Sequence, residues 1–166
     1  MSTPKIFKLS ICLLLVLANS LVGAQDERDN ITSSSYGDWF VRCETIEKLP
    51  PSCVMSQQAL TQAGERQLFQ INIAKVEQGV LMTAIFPLGI YLPAGVDLQV
   101  DDFEKTHFAF DFCTQEGCFV NQLLADEIVQ LLRKKLSAKF TIALSKGSSV
   151  HIPMSITGFL GAFAEL

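Results

Sequence analysis

Two histidines, His107 and His151, are the only imidazoles in this 166-residue chain, and His107 stands four residues before Asp111. In an extended strand, residues 107, 109 and 111 point to one face. An imidazole and a carboxylate then share a surface, as a general-base relay requires. The nucleophile of such a relay has no signature here, since no Gly-x-Ser-x-Gly elbow occurs. A periplasmic hydrolase built on His107 and Asp111 is therefore an alternative reading, and solvent-facing strand histidines are expected instead. Asp97, Asp101, Asp102 and Glu104 gather oxygens suited to a hard cation but lack the spacing of an EF-hand loop. A solvated acidic turn is expected there, with no metal and no cofactor.

Cys43, Cys53, Cys113 and Cys118 follow a leader that holds a fifth cysteine, Cys12. An even set in an exported chain favours disulfides. Three connectivities are open. Neighbour pairing, Cys43 with Cys53 and Cys113 with Cys118, is the most economical because each bond closes a short loop of turn-forming residues. Zinc competes, yet neither pair has Cys-x2-Cys spacing. A redox role for Cys113 and Cys118 would call for Cys-x-x-Cys beside a βαβ unit, and neither is present. The bonds are read as scaffolding.

Three further features have a binding and a structural reading. Trp39 could stack on a ligand, but its position four residues before Cys43 predicts core packing against a disulfide. Arg133, Lys134, Lys135 and Lys139 could dock an acidic partner or a lipid headgroup, but a solvated helix end is the ordinary account. The stretch from Phe86 to Pro93 combines two prolines and a glycine with Leu88, Ile90, Tyr91 and Leu92. If it loops outward, Ile90, Tyr91 and Leu92 form a contact patch. If it folds back on the core, it is a capped strand.

The elements that would carry these residues are mostly period-two strands. Phe69, Ile71 and Ile73 alternate with amides, and Phe108, Phe110 and Phe112 alternate with His107, Ala109 and Asp111. Phe140, Ile142 and Leu144 form a third face, and Val150, Ile152 and Met154 a fourth. Trp39–Cys43, Val54–Leu60, Val80–Phe86 and Val96–Val100 are further strands, with turns at Glu77–Gly79, Pro93–Gly95 and Lys146–Ser148. Between Leu123 and Leu136 the apolar residues switch to helical spacing, with acids early and bases late as the helix dipole favours. The expected fold is mostly β: a compact β-sandwich-like or barrel-like domain with one packed α-helix.

The N-terminus carries Lys5 and Lys8, an apolar run from Leu9 to Leu17, and the small-residue site Val22-Gly23-Ala24. That is the order of a secretory signal, with cleavage expected after Ala24. The run is shorter than the roughly 20 apolar residues of a membrane-spanning helix, so no integral span is expected after cleavage. Residues 1–24 are thus assigned to the signal, 25–36 to a flexible polar lead, and 37–166 to a single β-rich domain. Loss of the two leader lysines takes the net charge from −4 to −6. So acidic a chain is a poor nucleic-acid binder.

The ordered motifs resemble the invasion-associated locus B family of bacterial exported proteins. They are Gly37-Asp38-Trp39 leading to Cys43; Cys53-Val54 with Gln57; Pro87-Leu88-Gly89 leading to Pro93-Ala94-Gly95-Val96 and Asp101; Phe112-Cys113 with Gly117-Cys118; and Gly158-Phe159 with Ala162. The resemblance spans nearly all of the expected mature domain and supplies no catalytic residues. It implies a Gram-negative envelope or secreted protein, found in the periplasm, on the outer membrane or outside the cell, with a part in host-cell invasion in pathogenic members. The expected function is a non-enzymatic virulence-related module contacting a host-cell or envelope component. A periplasmic structural or stress factor without a host role is the other alternative.

Overall fold

The computed structural model describes residues 30–60, 67–134 and 137–166. The signal expected at 1–24 lies outside the described residues. Eleven strands and two helices follow in order: β1 (Ile31–Tyr36), β2 (Trp39–Glu44), β3 (Ser52–Leu60), β4 (Gln67–Val76), β5 (Gly79–Phe86), β6 (Val96–Val100), β7 (Thr106–Phe108), β8 (Phe112–Thr114), β9 (Gly117–Leu124), α1 (Asp126–Lys134), β10 (Ala138–Ser145), β11 (Ser148–Met154) and α2 (Phe159–Glu165). A 3-10 turn, Leu92–Ala94, precedes β6.

The strands form two antiparallel sheets. One has seven strands in the order β1-β2-β3-β4-β5-β9-β8, and the other has four in the order β11-β10-β6-β7. Among the described residues both sheets keep free edges, so the fold is a sandwich and not a closed barrel. Alternation sets the inner faces: Trp39 and Val41, Met55, Phe69, Ile71 and Ile73, and Met82, Ala84 and Phe86 point inward from the larger sheet. Val96, Leu98, Phe140, Ile142 and Ile152 answer from the smaller one. Phe140 joins the layers, with its ring 5.6 Å from Phe69 and 5.4 Å from Phe86. These distances fall in the range where aromatic pairs add to simple area burial.

Four expectations change. The segment read as a flexible lead carries a strand over Ile31–Tyr36, paired residue for residue with β2 from Ile31↔Glu44 to Tyr36↔Trp39. Backbone pairing holds it there, since its serines supply no apolar alternation. The single strand expected across Phe108, Phe110 and Phe112 is two strands in different sheets, because the chain crosses between layers at residues 109–111. Phe108 is buried and Phe110 packs edge-on against Phe86. Phe112 is exposed and stacks on Phe119. The helix starts later than expected, since Leu123 and Leu124 end β9. Finally, α2 is an unexpected second helix.

Trp39 is buried, as expected, but its ring partner is Phe159 of α2, 5.2 Å away in a T-shaped arrangement. Its indole N–H donates to the Ser155 carbonyl at 2.9 Å. Trp39 opens β2 while Cys43 lies near its other end, so α2 and not a disulfide completes this part of the core.

Candidate functional site

The residues with acid–base potential are held by different partners. His107 on β7 faces Asp97 on β6 in register, and its Nδ1 lies 2.8 Å from Asp97 Oδ1. Lys105 Nζ sits 4.0 Å from the other oxygen of Asp97. Asp111, in the crossing segment, accepts instead from the Asn121 backbone N–H at 2.6 Å and from its side-chain amide at 3.2 Å. The His107–Asp111 pairing read from strand alternation is therefore absent, because the strand ends at Phe108 before alternation can carry to residue 111. His151 pairs across the β10–β11 hairpin with Thr141 Oγ1 at 2.9 Å.

The acidic cluster is likewise distributed. Asp101 has a positive φ of 46° and accepts from the Ser137 backbone N–H and hydroxyl, at 2.8 and 2.9 Å. Among the described residues, no group of three or more His, Cys, Asp or Glu side chains is placed to hold a metal ion.

Both disulfides link strand neighbours that oppose each other in register, Cys43–Cys53 between β2 and β3 and Cys113–Cys118 between β8 and β9. The second closes the turn that carries Gln115 and Glu116. Because Phe86 pairs with Cys118, the same register brings that turn beside the chain leaving β5. Phe69, Ile85, Phe86, Pro87, Leu88, Gln115 and Glu116 together line a cleft of about 360 Å³. Its lining is mixed, with apolar side chains from β4 and β5 on one side and an amide and a carboxylate at the hairpin turn. It is a shallow recess, open to solvent along one side.

The segment from Leu88 to Leu92 continues from this cleft. Of the three residues expected as a contact patch, Ile90 turns inward and packs against the core, while Tyr91 and Leu92 are 37% and 43% exposed. Leu88, which also lines the cleft, is 56% exposed. The exposed ridge is thus Leu88, Tyr91 and Leu92, with Ile90 as its root. Backbone bonds hold it in place: the Tyr91 N–H donates to Ala143 O of β10 at 2.8 Å, and the Gly95 N–H to Leu92 O at 3.0 Å. Gly95 has a φ of +60°, and a Cβ there would lie 2.5 Å from the His107 ring and from Phe108 O. Only glycine lets the ridge return to the sheet so closely. His107 therefore has a structural place beneath the returning chain.

The exposure of Tyr91 and Leu92 was legible in the sequence, and the recess was not. Gln115 and Glu116 lie more than 20 residues from Leu88, and only the pairing of β5 with β9 joins them. The residual signal was the short Cys113–Cys118 spacing, which fixed a tight turn without locating it.

Comparison with known proteins agrees with the motifs. The family model described as Invasion associated locus B protein matches residues 39–166. Two Invasion protein B homologues from Brucella abortus, of strain 2308 and of biovar 1 strain 9-941, are each 30% identical over 138 residues, covering 80% of this chain and 77% of theirs. The crystal structure of invasion associated protein B from Bartonella henselae aligns with a TM-score of 0.69 at 22% identity, covering 81% of this chain and 93% of that one. At that identity it shows a common fold. With the family match spanning the whole sandwich from Trp39 onward, the chain belongs to the invasion associated locus B family.

Proposed function

We propose that this chain is an exported, non-enzymatic interaction protein that contacts a host-cell or envelope component through the Leu88–Tyr91–Leu92 ridge and the adjoining cleft. The observation that carries the reading is the exposed apolar ridge, held by one backbone bond to β10 and by the turn bonds of its own segment, beside a recess of about 360 Å³. A surface already fixed in one conformation loses less entropy on binding than a mobile loop. Exposed apolar side chains clustered in this way are a common mark of contact surfaces. Two disulfides favour an oxidising destination. No helix among the described residues is long and apolar enough to cross a membrane. The family relatives carry invasion in their names, and that makes a host surface the first partner to test.

The test has two arms. Cell fractionation should place the processed chain outside the cytoplasm, and retention of the unprocessed chain in the cytoplasm would sink the export reading. Purified protein should adhere to host cells or to isolated envelopes, with Leu88→Asp and Leu92→Asp reducing adhesion at least several-fold while leaving thermal unfolding near wild type. Unchanged adhesion in both variants would remove the ridge from the function.

A further inference from the structure

We infer that the exposed edge of β1 is a self-association seam, through which a second copy of this chain extends the seven-stranded sheet by antiparallel β1–β1 pairing. An unguarded sheet edge is a template for another strand, and proteins usually block edges with charge, proline, bulges or brevity.

Among the described residues the two sheets have four edges. β7 and β8 have three residues each, and β8 is tied to its neighbour by the Cys113–Cys118 bond. β11 contains Pro153, which lacks an N–H, and its pairing with β10 is broken by a register shift between Ala143 and Ser145. β1 differs from all three. Its six residues, Ile31-Thr32-Ser33-Ser34-Ser35-Tyr36, include no charge and no proline, and they pair with β2 without a register shift.

The geometry also sets how two copies would meet. The Asn30 carbonyl accepts the Thr45 N–H at 2.7 Å, so even-numbered residues of β1 direct their backbone groups toward β2. In an antiparallel ladder the intervening residues face the other way. The N–H and C=O groups of Ile31, Ser33 and Ser35 therefore point out from the sheet. These three positions are symmetric about Ser33. A two-fold axis at Ser33 brings Ile31 opposite Ser35 of the second copy and Ser33 opposite its own counterpart, so every outward group finds a partner. The result is an isologous interface. Small uncharged side chains meet at its centre, with none of the like-charge opposition that blocks self-pairing on other edges. A seam one strand long is small beside standard interfaces, so the association is concentration-dependent.

Sedimentation of the processed protein should show a monomer–dimer equilibrium shifting with concentration. Hydrogen exchange should show the Ile31, Ser33 and Ser35 amides gaining protection on the same concentration scale, while those of Thr32 and Ser34 are protected throughout. Ser33→Glu and Ser33→Lys each place like charges at the axis and should be monomeric. Mixing the two in equal amounts should restore the dimer, because opposite charges then face each other. A wild-type chain that stays monomeric up to about 1 mM would overturn the proposal. So would variants that dimerise as readily as wild type, since the seam would then lie elsewhere.

Discussion

The side chain of Gln57 and the backbone of Ser155 exchange two hydrogen bonds: Gln57 Nε2 donates to Ser155 O at 3.1 Å, and Gln57 Oε1 accepts the Ser155 N–H at 2.9 Å. Gln57 is 7% exposed and points inward from β3. Ser155 is the residue at which the chain leaves β11. One amide thus continues the ladder after the strand has ended, joining the two sheets where α2 begins. Replacing it with Gln57→Leu leaves the part-buried Ser155 N–H without its partner, while Ser155 O keeps the Trp39 indole N–H, and should cost about 1–3 kcal/mol. The urea midpoint should fall with little change in slope. A loss below about 0.5 kcal/mol would mean that water replaces the amide.

Gly158 and Gly89 have nearly the same φ, +86° and +87°, but different surroundings. A Cβ on Gly158 would overlap the Tyr36 carbonyl oxygen, whereas one on Gly89 meets nothing within 4 Å. Gly89→Ala should therefore show only the conformational penalty of about 1–2 kcal/mol. Gly158→Ala should lose more, because α2 must move off β1. Equal midpoints in chemical denaturation would contradict this ordering.

Tyr36 donates its hydroxyl to Glu165 Oε1 at 2.7 Å, tying β1 to the end of α2. This hydrogen bond to a carboxylate, with smaller contributions from desolvation and from the Glu165 charge, raises the Tyr36 pKa above its ordinary 10.0. The folded state therefore holds the proton more tightly than the unfolded state. The contribution is fully present below pH 10 and disappears as the pH rises through the folded value. In a Tyr91→Phe background, where Tyr36 is the only tyrosine, absorbance titration near 295 nm should give a midpoint above 10. Adding Glu165→Ala should bring it back. A midpoint at or below 10 in the parent would exclude the bond in solution.

Removing Cys113–Cys118 by paired alanine substitution opens a five-residue separation, and removing Cys43–Cys53 opens one of ten. On a chain-entropy basis each should cost about 2–3 kcal/mol. Their effects on adhesion should differ. Only the first releases the turn bearing Gln115 and Glu116 at the cleft, so it should weaken adhesion at temperatures where both variants remain folded. Equal adhesion by the two variants would detach the cleft from binding.

Alternation along a strand reports which face a side chain occupies, and at that level the sequence was informative. Phe69, Ile71 and Ile73 all point inward, as do Phe140 and Ile142. The cysteine spacings likewise favoured the hairpins that the disulfides close. Period two carries no label for the neighbouring strand, however, so the order β5-β9-β8 and the crossing between Phe108 and Phe112 were not legible. β1 was hidden because its serines have no apolar face, and α2 because seven residues containing a glycine are too short for a clear helical period. The exposed ridge followed the same division. Sequence composition determined that residues 86–93 are apolar and irregular. The tertiary structure decided that Ile90 is the root and that Leu88, Tyr91 and Leu92 are the exposed crest. It also placed the Gln115–Glu116 turn alongside, since a residue's neighbours across a sheet follow from register between strands distant in sequence.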